Sequence, residues 1–368
     1  MKQTLTKFTI SGLVVWMVTG IGIFSCSNDQ PAPDEAVRIV EKLNQTYFFD
    51  SRVWKQDIQA SVANNIVTLT GETFYPKAVR GAIRNLKSAG FDSIVSEVNF
   101  LPETLPDGKN FAVVTVHHVM GRYKPVEKKQ EATELIYGDM VRIIRQVDDQ
   151  YQVQSPEGYL AYIPTNTLRR LDTLAWNRFH QGPFAKFRQN VPLKNGEKIS
   201  IGSRLPYLGN GTVLLADGSE YKLDSAVDFR VFSPENNPVR KEILTAGEQY
   251  LGLPYVWGGR SGEGADCSGF TQGAFSLNGI YLPRDTDEMS IVGQFIGFPG
   301  WYDALIPGDL IFYTSGRRLI THVAIYYGDG KVIQSAGSGV HIASMDPAAP
   351  DYEERLLRDF AFAKRILD

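Results

Sequence analysis

The chain has 368 residues and a formal net charge of −3, with 43% hydrophobic and 21% charged residues. This length predicts two or three domains with enough chain to bury their cores, and the composition is that of a globular protein. The charge balance gives no basic field that would hold a polyanion. The composition therefore disfavours nucleic acid as a partner.

The first 25 residues have the composition of a targeting segment. Lys2 and Lys7 form a short positive region, and the mostly apolar run Phe8–Phe24 follows it. An aliphatic residue lies three positions before Cys26 and a small residue directly before it, which resembles the bacterial lipoprotein signal. The resemblance implies removal of residues 1–25, lipidation of Cys26, and export to the cell envelope on the side that faces the periplasm. A plain transmembrane anchor is the alternative.

The chain contains only two cysteines, Cys26 and Cys267. The polar, proline-rich residues 26–34 are typical of a tether. If Cys26 carries lipid, Cys267 has no partner for an intrachain disulfide. An unpaired cysteine in an exported protein needs another explanation, and catalysis is one.

Residues 35–103 predict a small α/β module. A helix begins near Glu35, and a strand, an Asn-Asn turn, a second strand, the helix Lys77–Ser88 and the strand Ile94–Phe100 follow. This order, with the pattern "VANNIVTLTG", resembles the BON-type module of envelope proteins. The resemblance implies an envelope or packing role, and no residue of this module is predicted to carry chemistry.

Two further segments, 110–172 and 173–233, predict small β-barrels because short alternating strands are separated by turn residues. The stretches "YGDMVRII" and "YQVQSPEGYLAYIP" in the first resemble bacterial SH3-like domains, and the second reads as a more divergent copy behind an aromatic connector. His117 and His118 are adjacent and therefore face opposite sides of a strand, which disfavours a shared metal site. His180 lies in the connector and is predicted to be structural or solvated.

Cys267 lies in the stretch "LPYVWGGRSGEGADCSGFTQGAF" of the last segment, 238–368. A glycine-rich loop leads there into an apolar segment, which predicts a helix whose first turn holds the cysteine. The positive end of a helix dipole favours the thiolate over the thiol, and a thiolate is a nucleophile. The alternative is a buried cysteine that acts as a small hydrophobe.

A nucleophilic cysteine needs a base from another part of the chain. This segment offers His322 and His341. His322 lies where a polar loop meets the buried strand "THVAIYYGDG", and Gln334 on the next strand is placed to hold an imidazole nitrogen and fix its tautomer. His341 follows two glycines and is predicted to be structural.

The motifs "LPYVWGG", "ADCSGF", "LPRDT", "PGDLIFY" and "THVAIYYGDGKVIQSAGSG" together resemble the NlpC-type cysteine peptidases, which are papain-like hydrolases of cell-wall peptides. The resemblance implies an α+β fold, with Cys267 as nucleophile, His322 as general base and Gln334 as the third polar residue. Many relatives have histidine at the third position. Glutamine can orient His322 but cannot stabilise an imidazolium as a carboxylate does, so a slower or differently pH-tuned enzyme is a hypothesis.

The two SH3-like domains behind an export signal make the chain similar to γ-D-glutamyl-L-diamino acid endopeptidases of the dipeptidyl-peptidase VI type. The resemblance implies Tyr255 near the oxyanion, an aromatic residue from the first SH3-like domain, Tyr159 or Tyr162, and a substrate subsite lined by Asp266, Ser268, Arg284 and Asp285. Acidic residues suit a subsite for a free α-amine, because a buried ammonium without a partner is costly. A structural ion pair is the alternative for Arg284 and Asp285.

The sequence therefore predicts a lipid-anchored cysteine peptidase that cuts the bond from γ-D-Glu to a diamino acid in murein stem peptides with free N-terminal L-alanine. The partners are murein peptides and the membrane, and no metal or organic cofactor is implied. A peptidoglycan-binding lipoprotein with little or no activity is the first alternative. A hydrolase of an N-acetylmuramoyl amide or a D,L-crosslink is the second.

Overall fold

The structure is a computed structural model that describes residues 31–46, 50–125, 130–232, 240–316 and 319–367. Over these residues the strands form six hydrogen-bonded sheets, and the helices lie mainly at the two ends of the chain. Within the same residues, no helix combines the length and the apolarity needed to cross a membrane. The predicted signal, including Cys26, lies outside the described residues.

The N-terminal unit, residues 33–100, packs two helices on one sheet. Its elements are α1 (Pro33–Thr46), β1 (Gln56–Ala63), β2 (Ile66–Thr73), α2 (Pro76–Ser88), β3 (Ser93–Ser96) and β4 (Asn99–Phe100). The β1–β2 hairpin turns at Asn64 and Asn65, whose positive φ values of 50° and 62° suit a two-residue hairpin turn. β2 also pairs in parallel with β3 and β4. The apolar faces of α1 and α2 meet the sheet in one core.

The next unit, residues 111–171, is a seven-stranded antiparallel sheet in the order β11-β5-β8-β9-β10-β6-β7. Its strands are β5 (Phe111–Val114), β6 (His118–Arg122), β7 (Glu131–Ile136), β8 (Met140–Val147), β9 (Gln150–Gln154), β10 (Leu160–Pro164) and β11 (Leu168–Leu171). The predicted barrel does not close over the described residues, because the path of paired strands ends at β11 and β7. Part of the edge of β7 instead meets the C-terminal unit, where Glu134 N–H donates to the Gly258 carbonyl at 2.9 Å.

Residues 173–232 form a second, smaller β unit, and its path of paired strands is also open. It consists of α3 (Thr173–His180), β12 (Phe184–Phe187), β13 (Val191–Pro192), β14 (Lys198–Ile199), β15 (Arg204–Gly209), β16 (Thr212–Leu214), β17 (Glu220–Lys222) and β18 (Phe229–Phe232). Five strands form a sheet in the order β17-β16-β15-β12-β18, and β13 pairs with β14. His180 stacks on Trp176 with ring centroids 5.5 Å apart.

The C-terminal unit, residues 240–367, packs a buried helix on an antiparallel sheet. Its helices are α4 (Arg240–Glu248), α5 (Cys267–Ser276), α6 (Thr286–Met289) and α7 (Arg355–Arg358). Its strands are β19 (Arg260–Ser261), β20 (Gly264–Ala265), β21 (Gln294–Gly297), β22 (Leu310–Thr314), β23 (Ile320–Gly328), β24 (Lys331–Ala336), β25 (Gly339–Ser344) and β26 (Phe360–Arg365). The six-stranded sheet runs in the order β21-β26-β22-β23-β24-β25. All ten residues of α5 are buried, so the helix that begins with Cys267 forms the centre of this unit.

Glu134 of the seven-stranded sheet joins that sheet to the loop before α5. Its carboxylate is buried and accepts from the backbone N–H groups of Arg260 at 2.7 Å and Ser261 at 2.9 Å. The Arg260 guanidinium also forms an ion pair with Asp139. His118 contacts the same Glu134 carboxylate at 2.6 Å, whereas His117 contacts Glu263. The two histidines therefore bind different carboxylates on this interface.

Candidate active site

Cys267 is the first residue of α5, and Asp266 caps that helix. The Asp266 carboxylate accepts from Gly269 N–H at 2.6 Å, which satisfies one of the N–H groups that a helix start leaves without a partner. A second bond, from Gly258 N–H at 2.8 Å, ties the glycine-rich loop to the cap. A side chain at position 269 would clash with the Gly259 carbonyl, so only glycine lets the loop approach the helix this closely.

The Cys267 thiol lies in a nearly closed environment, with 7% of the residue exposed. Its Sγ is 3.7 Å from Thr286 Oγ1. The Thr286 hydroxyl and the nearby backbone N–H groups of Val323 and Ser268 act to lower the pKa of the thiol. Burial nevertheless raises the pKa of the Cys267 thiol, and the nearby Asp266 charge acts in the same direction. The positive end of the α5 dipole would instead lower this pKa and favour the thiolate. Desolvation outweighs it here, so the resting side chain is a thiol.

His322 lies on β23, a strand that packs against α5, so the predicted base and the predicted nucleophile lie on neighbouring elements. His322 Nε2 is 2.7 Å from Gln334 Oε1. Burial lowers the pKa of His322 to about 4, and the bond to Gln334 acts in the opposite direction. A carbonyl oxygen can only accept, so Nε2 carries the proton and Nδ1 keeps a lone pair that can take a proton from the thiol.

Gln334 lies on β24, the strand beside β23, and is completely buried. Its amide nitrogen donates to Glu353 Oε2 at 3.1 Å, and Glu353 Oε1 is 2.7 Å from His341 Nε2. His341 thus lies in the same network as His322, and neither histidine is among the residues that line the cavity described below. Sequence reasoning placed Gln334 next to His322 but did not find Glu353.

Arg284 and Asp266 form a buried ion pair with two contacts, at 2.9 and 3.1 Å. Arg284 also donates to Ser268 Oγ at 2.9 Å and to Thr133 Oγ1 of the seven-stranded sheet at 3.0 Å, and only 1% of it is exposed. Arg284 therefore forms its structural ion pair with Asp266 and not with Asp285. Arg284 supports the wall of the site from behind rather than lining it.

A cavity of about 600 Å³ opens beside the nucleophile. Its lining comes from three parts of the chain and consists of Arg52, Tyr123, Ala132, Tyr255, Trp257, Asp266, Cys267, Ser268, Asp285, Thr286, Asp287, Leu319, Ile320 and Thr321. Burial raises the pKa of the Tyr255 phenol, and the nearby Asp266 charge acts in the same direction, as would a thiolate at Cys267. The lining combines aromatic and aliphatic side chains with charged and hydroxyl groups, which suits a polar small-molecule or peptide ligand.

Asp285 is the acid at one end of this cavity. Tyr159 donates its hydroxyl to Asp285 Oδ2 at 3.0 Å, and Tyr123 lies 2.6 Å from the Tyr159 hydroxyl. Arg52 of the N-terminal unit also reaches Asp285, at 2.5 Å, and binds Asp50 and Asp287 as well. Neither Arg52 nor Tyr123 was predicted, because nothing in the local sequence around them signals a site.

Tyr162, named with Tyr159 as a candidate aromatic residue, does not line the cavity. It pairs with Arg122 across β10 and β6, and the charges nearest its phenol are Arg145, Glu72 and Glu103. Tyr159 lies directly before β10, and its hydroxyl is the one that reaches Asp285. Tyr159 therefore supplies the aromatic contact to Asp285, and Tyr162 faces the N-terminal unit.

Comparison with known proteins identifies relatives of this chain. Residues 252–358 match the NlpC/P60 family. A γ-D-glutamyl-L-lysine dipeptidyl-peptidase of Bacillus cereus is 30% identical over 246 residues, which cover 62% of this chain and 70% of the relative. A protein of the same name from Bacillus subtilis is 29% identical over 61% of this chain and 78% of its own length.

A crystal structure of an NlpC/P60 family protein from Bacillus cereus superimposes with a TM-score of 0.61 and 24% identity. It covers 70% of this chain and all of the solved one, which supports the fold. Other relatives, from mycobacteria, are named probable endopeptidases. A buried cysteine at the start of a helix, with a histidine on a neighbouring strand, is an arrangement that suits a cysteine endopeptidase. The chain therefore belongs to the NlpC/P60 family.

Proposed function

We propose that this peptidase hydrolyses the bond between γ-D-Glu and a diamino acid in murein stem peptides with a free N-terminal L-alanine. The acidic end of the cavity is the observation that carries the proposal. Asp50, Asp285 and Asp287 surround the single guanidinium of Arg52, so negative charge is in excess where the cavity ends. A substrate ammonium supplies the missing positive charge.

The names of the relatives support the same bond. Both Bacillus relatives are named γ-D-glutamyl-L-lysine dipeptidyl-peptidases, and a dipeptidyl-peptidase releases two residues from a free amino terminus. Release of an L-Ala-γ-D-Glu dipeptide follows from an amine at Asp285 and a carbonyl at Cys267.

In the proposed reaction the substrate enters with Cys267 as a thiol. Nδ1 of His322 takes the thiol proton while Sγ attacks the γ-carbonyl carbon, and the tetrahedral intermediate collapses to a thioester as the proton passes to the leaving amine. His322 then takes a proton from water, which hydrolyses the thioester and restores the thiol. The Cys267 backbone N–H, in the first turn of α5, has no partner within the helix and is placed to donate to the oxyanion.

The test is mass spectrometry of L-Ala-γ-D-Glu-diaminopimelate incubated with the full chain. We expect release of the L-Ala-γ-D-Glu dipeptide by the wild-type chain and by Cys26→Ser, and none by Cys267→Ala. The same peptide with an acetylated L-alanine should remain intact. Cleavage of the acetylated peptide, of an N-acetylmuramoyl amide or of a D,L-crosslink would show that the proposed substrate is wrong. A thiol that resists alkylation, together with no cleavage, would favour the peptidoglycan-binding protein.

We also propose an envelope location. The residues that support it, 1–25 as a signal and Cys26 as the lipid acceptor, are known from sequence alone. Residues 35–103 as a BON-like module, and 110–172 and 173–233 as two SH3-like domains, remain proposals supported by strand order and turn chemistry. Expression with an alkyne-tagged fatty acid should label the full chain but not Cys26→Ser, and equal labelling of both would contradict the lipid anchor.

A further inference from the structure

Cys267, His322 and Gln334 alone do not determine which end of the Gln334 amide faces His322. An amide has an acceptor end and a donor end of nearly the same shape, and either end fits beside the Nε2 atom of His322. If the amide nitrogen faced His322, Nε2 would have to accept. The proton would then lie on Nδ1, and the base would have no lone pair for the thiol.

Glu353 removes this ambiguity. A carboxylate only accepts hydrogen bonds, so the Gln334 group that lies 3.1 Å from Glu353 Oε2 must be the amide nitrogen. The amide oxygen is then the end that lies 2.7 Å from His322 Nε2. The carboxylate of Glu353 thereby sets the tautomer of His322 through one intervening side chain.

The position of Glu353 is itself held from several sides. Its backbone N–H donates to the Ser344 carbonyl at 3.0 Å, and its carboxylate binds Arg355 Nε at 2.9 Å and His341 Nε2 at 2.7 Å. Burial opposes the charge, but the bonds from His341 and Arg355 outweigh it and lower the pKa of Glu353. The group is therefore an anion at neutral pH.

We propose that Glu353 is a positioning residue of this peptidase, which orients the Gln334 amide and supplies, one side chain away from His322, the negative charge that glutamine lacks. The charged or titratable groups around it are His341 on β25, Arg355 at the start of α7, His322 on β23 and the buried phenol of Tyr313 on β22. When His322 accepts the proton of Cys267, its new positive charge faces the Gln334 oxygen and, behind it, this carboxylate. The inference rests on the proposed role of His322 as the base.

The test compares Glu353→Gln with Glu354→Gln in the full chain. Glu354 is the adjacent, exposed glutamate, so it is a matched control for the loss of one charge. Loss of the Glu353 charge removes an interaction that raises the pKa of His322. We expect kcat to fall roughly tenfold with KM unchanged, and the acid limb of the kcat/KM profile to move to lower pH. Glu354→Gln should match the wild type.

Imidazole ¹⁵N NMR of His322 gives a second measurement that does not depend on any substrate. In the wild type the proton should lie on Nε2, and in Glu353→Leu the Nδ1–H tautomer should gain population, because the amide is then free to turn. Glu353→Asp should restore part of the wild-type tautomer ratio. Near-UV CD checks that each variant is folded, and if the leucine variant is not, the tautomer ratio of the aspartate variant is compared with that of the wild type instead.

The two proposals fail in different ways. A tautomer ratio and pH profile identical in wild type, Glu353→Gln and Glu354→Gln would overturn the role of Glu353. If the wild-type chain does not cut the γ-D-Glu peptide but the tautomer of His322 still depends on Glu353, the proposed substrate is wrong and the inference stands.

Discussion

Arg52 and Asp285 are 233 residues apart in the sequence and form an ion pair at 2.5 Å at the edge of the cavity. Arg52 directs all five of its N–H donors at carboxylates, two at Asp50, two at Asp287 and one at Asp285. The backbone carbonyl of Arg52 accepts from Leu160 N–H at 2.7 Å. The N-terminal unit is therefore joined both to the seven-stranded sheet and to the start of α6.

Replacement of Arg52 should destabilise the protein in a pH-dependent way. The hydrogen bonds from Arg52 lower the pKa of Asp50 and of Asp287 in the folded state. Groups with a depressed folded pKa contribute stability above the unfolded value, about 3.9 for aspartate, and lose it as the pH falls through the folded value. Arg52→Met should thus cost about 2 kcal/mol at pH 7, a value below that of a fully buried pair because the side chains are partly exposed.

Urea unfolding at pH 7 and at about pH 3.5 measures this difference, which should shrink at the lower pH. Arg38→Met is the control, because Arg38 forms an exposed helical ion pair with Asp34 and should cost less than about 0.5 kcal/mol. Equal destabilisation by the two substitutions would contradict a structural role for the Arg52 network.

Asp285→Asn should weaken binding of substrates with a free amine. The substitution removes the charge that pairs with the proposed ammonium but keeps an acceptor for the Tyr159 hydroxyl. We expect KM for L-Ala-γ-D-Glu-diaminopimelate to rise at least about tenfold, as for loss of one charge-assisted contact, with kcat changed far less. Steady-state kinetics measure this. A lower kcat with an unchanged KM would place Asp285 in the chemical step instead.

Alkylation of Cys267 should report a thiol rather than a preformed thiolate. Because burial raises the pKa of this group, its reaction with iodoacetamide should still accelerate by about tenfold per pH unit between pH 7 and 8. Quantitative mass spectrometry of the peptide that contains Cys267 separates it from Cys26. A rate that is already constant between pH 6 and 8 would indicate a thiolate–imidazolium pair in the resting enzyme.

Arg284→Met should be strongly destabilising. Arg284 and Asp266 are both almost completely buried, and removal of one partner leaves the other charge without compensation, which costs about 3–5 kcal/mol. Asp266→Leu in the same chain should recover only part of this cost, because Asp266 also accepts from Gly269 and Gly258. Thermal and urea unfolding of the single and double variants measure the loss of stability and the part of it that is recovered. A loss below about 1 kcal/mol for Arg284→Met would contradict the buried pair.

Local sequence signals predict much of this fold. The Asn64-Asn65 turn fixes the first hairpin, because asparagine tolerates positive φ, and the glycine-rich loop before Cys267 predicts the start of α5. The alternation along "THVAIYYG" predicts β23 and the position of His322 at its beginning. These signals are local because turn chemistry and side-chain periodicity depend on a few consecutive residues.

The remaining features depend on contacts that no short stretch encodes. Arg52 lies at the site because the N-terminal unit packs against the C-terminal unit, and Glu353 lies there because the loop after β25 folds back toward β24. The sequence neighbours of neither residue contain a motif. The direction of the Cys267 pKa shift depends on how completely the thiol is buried, which the helix start alone does not determine. The choice between Tyr159 and Tyr162 needed the exact start of β10, and strand ends are difficult to predict to within one residue.

Three parts of the chain line the cavity, and the residues proposed to break the bond lie in a different part from those that contact Asp285. Cys267, His322 and Gln334 all lie in the C-terminal unit, whereas Arg52, Tyr123 and Tyr159 come from the chain that is synthesised before it. A fragment that begins at residue 240 would keep the groups that break the bond but lose the contacts that orient Asp285. Under the proposed function, discrimination between a wall fragment with a free amine and an intact wall peptide belongs to the assembled chain. Substitutions in the earlier units would then change the substrate without any change in the nucleophile.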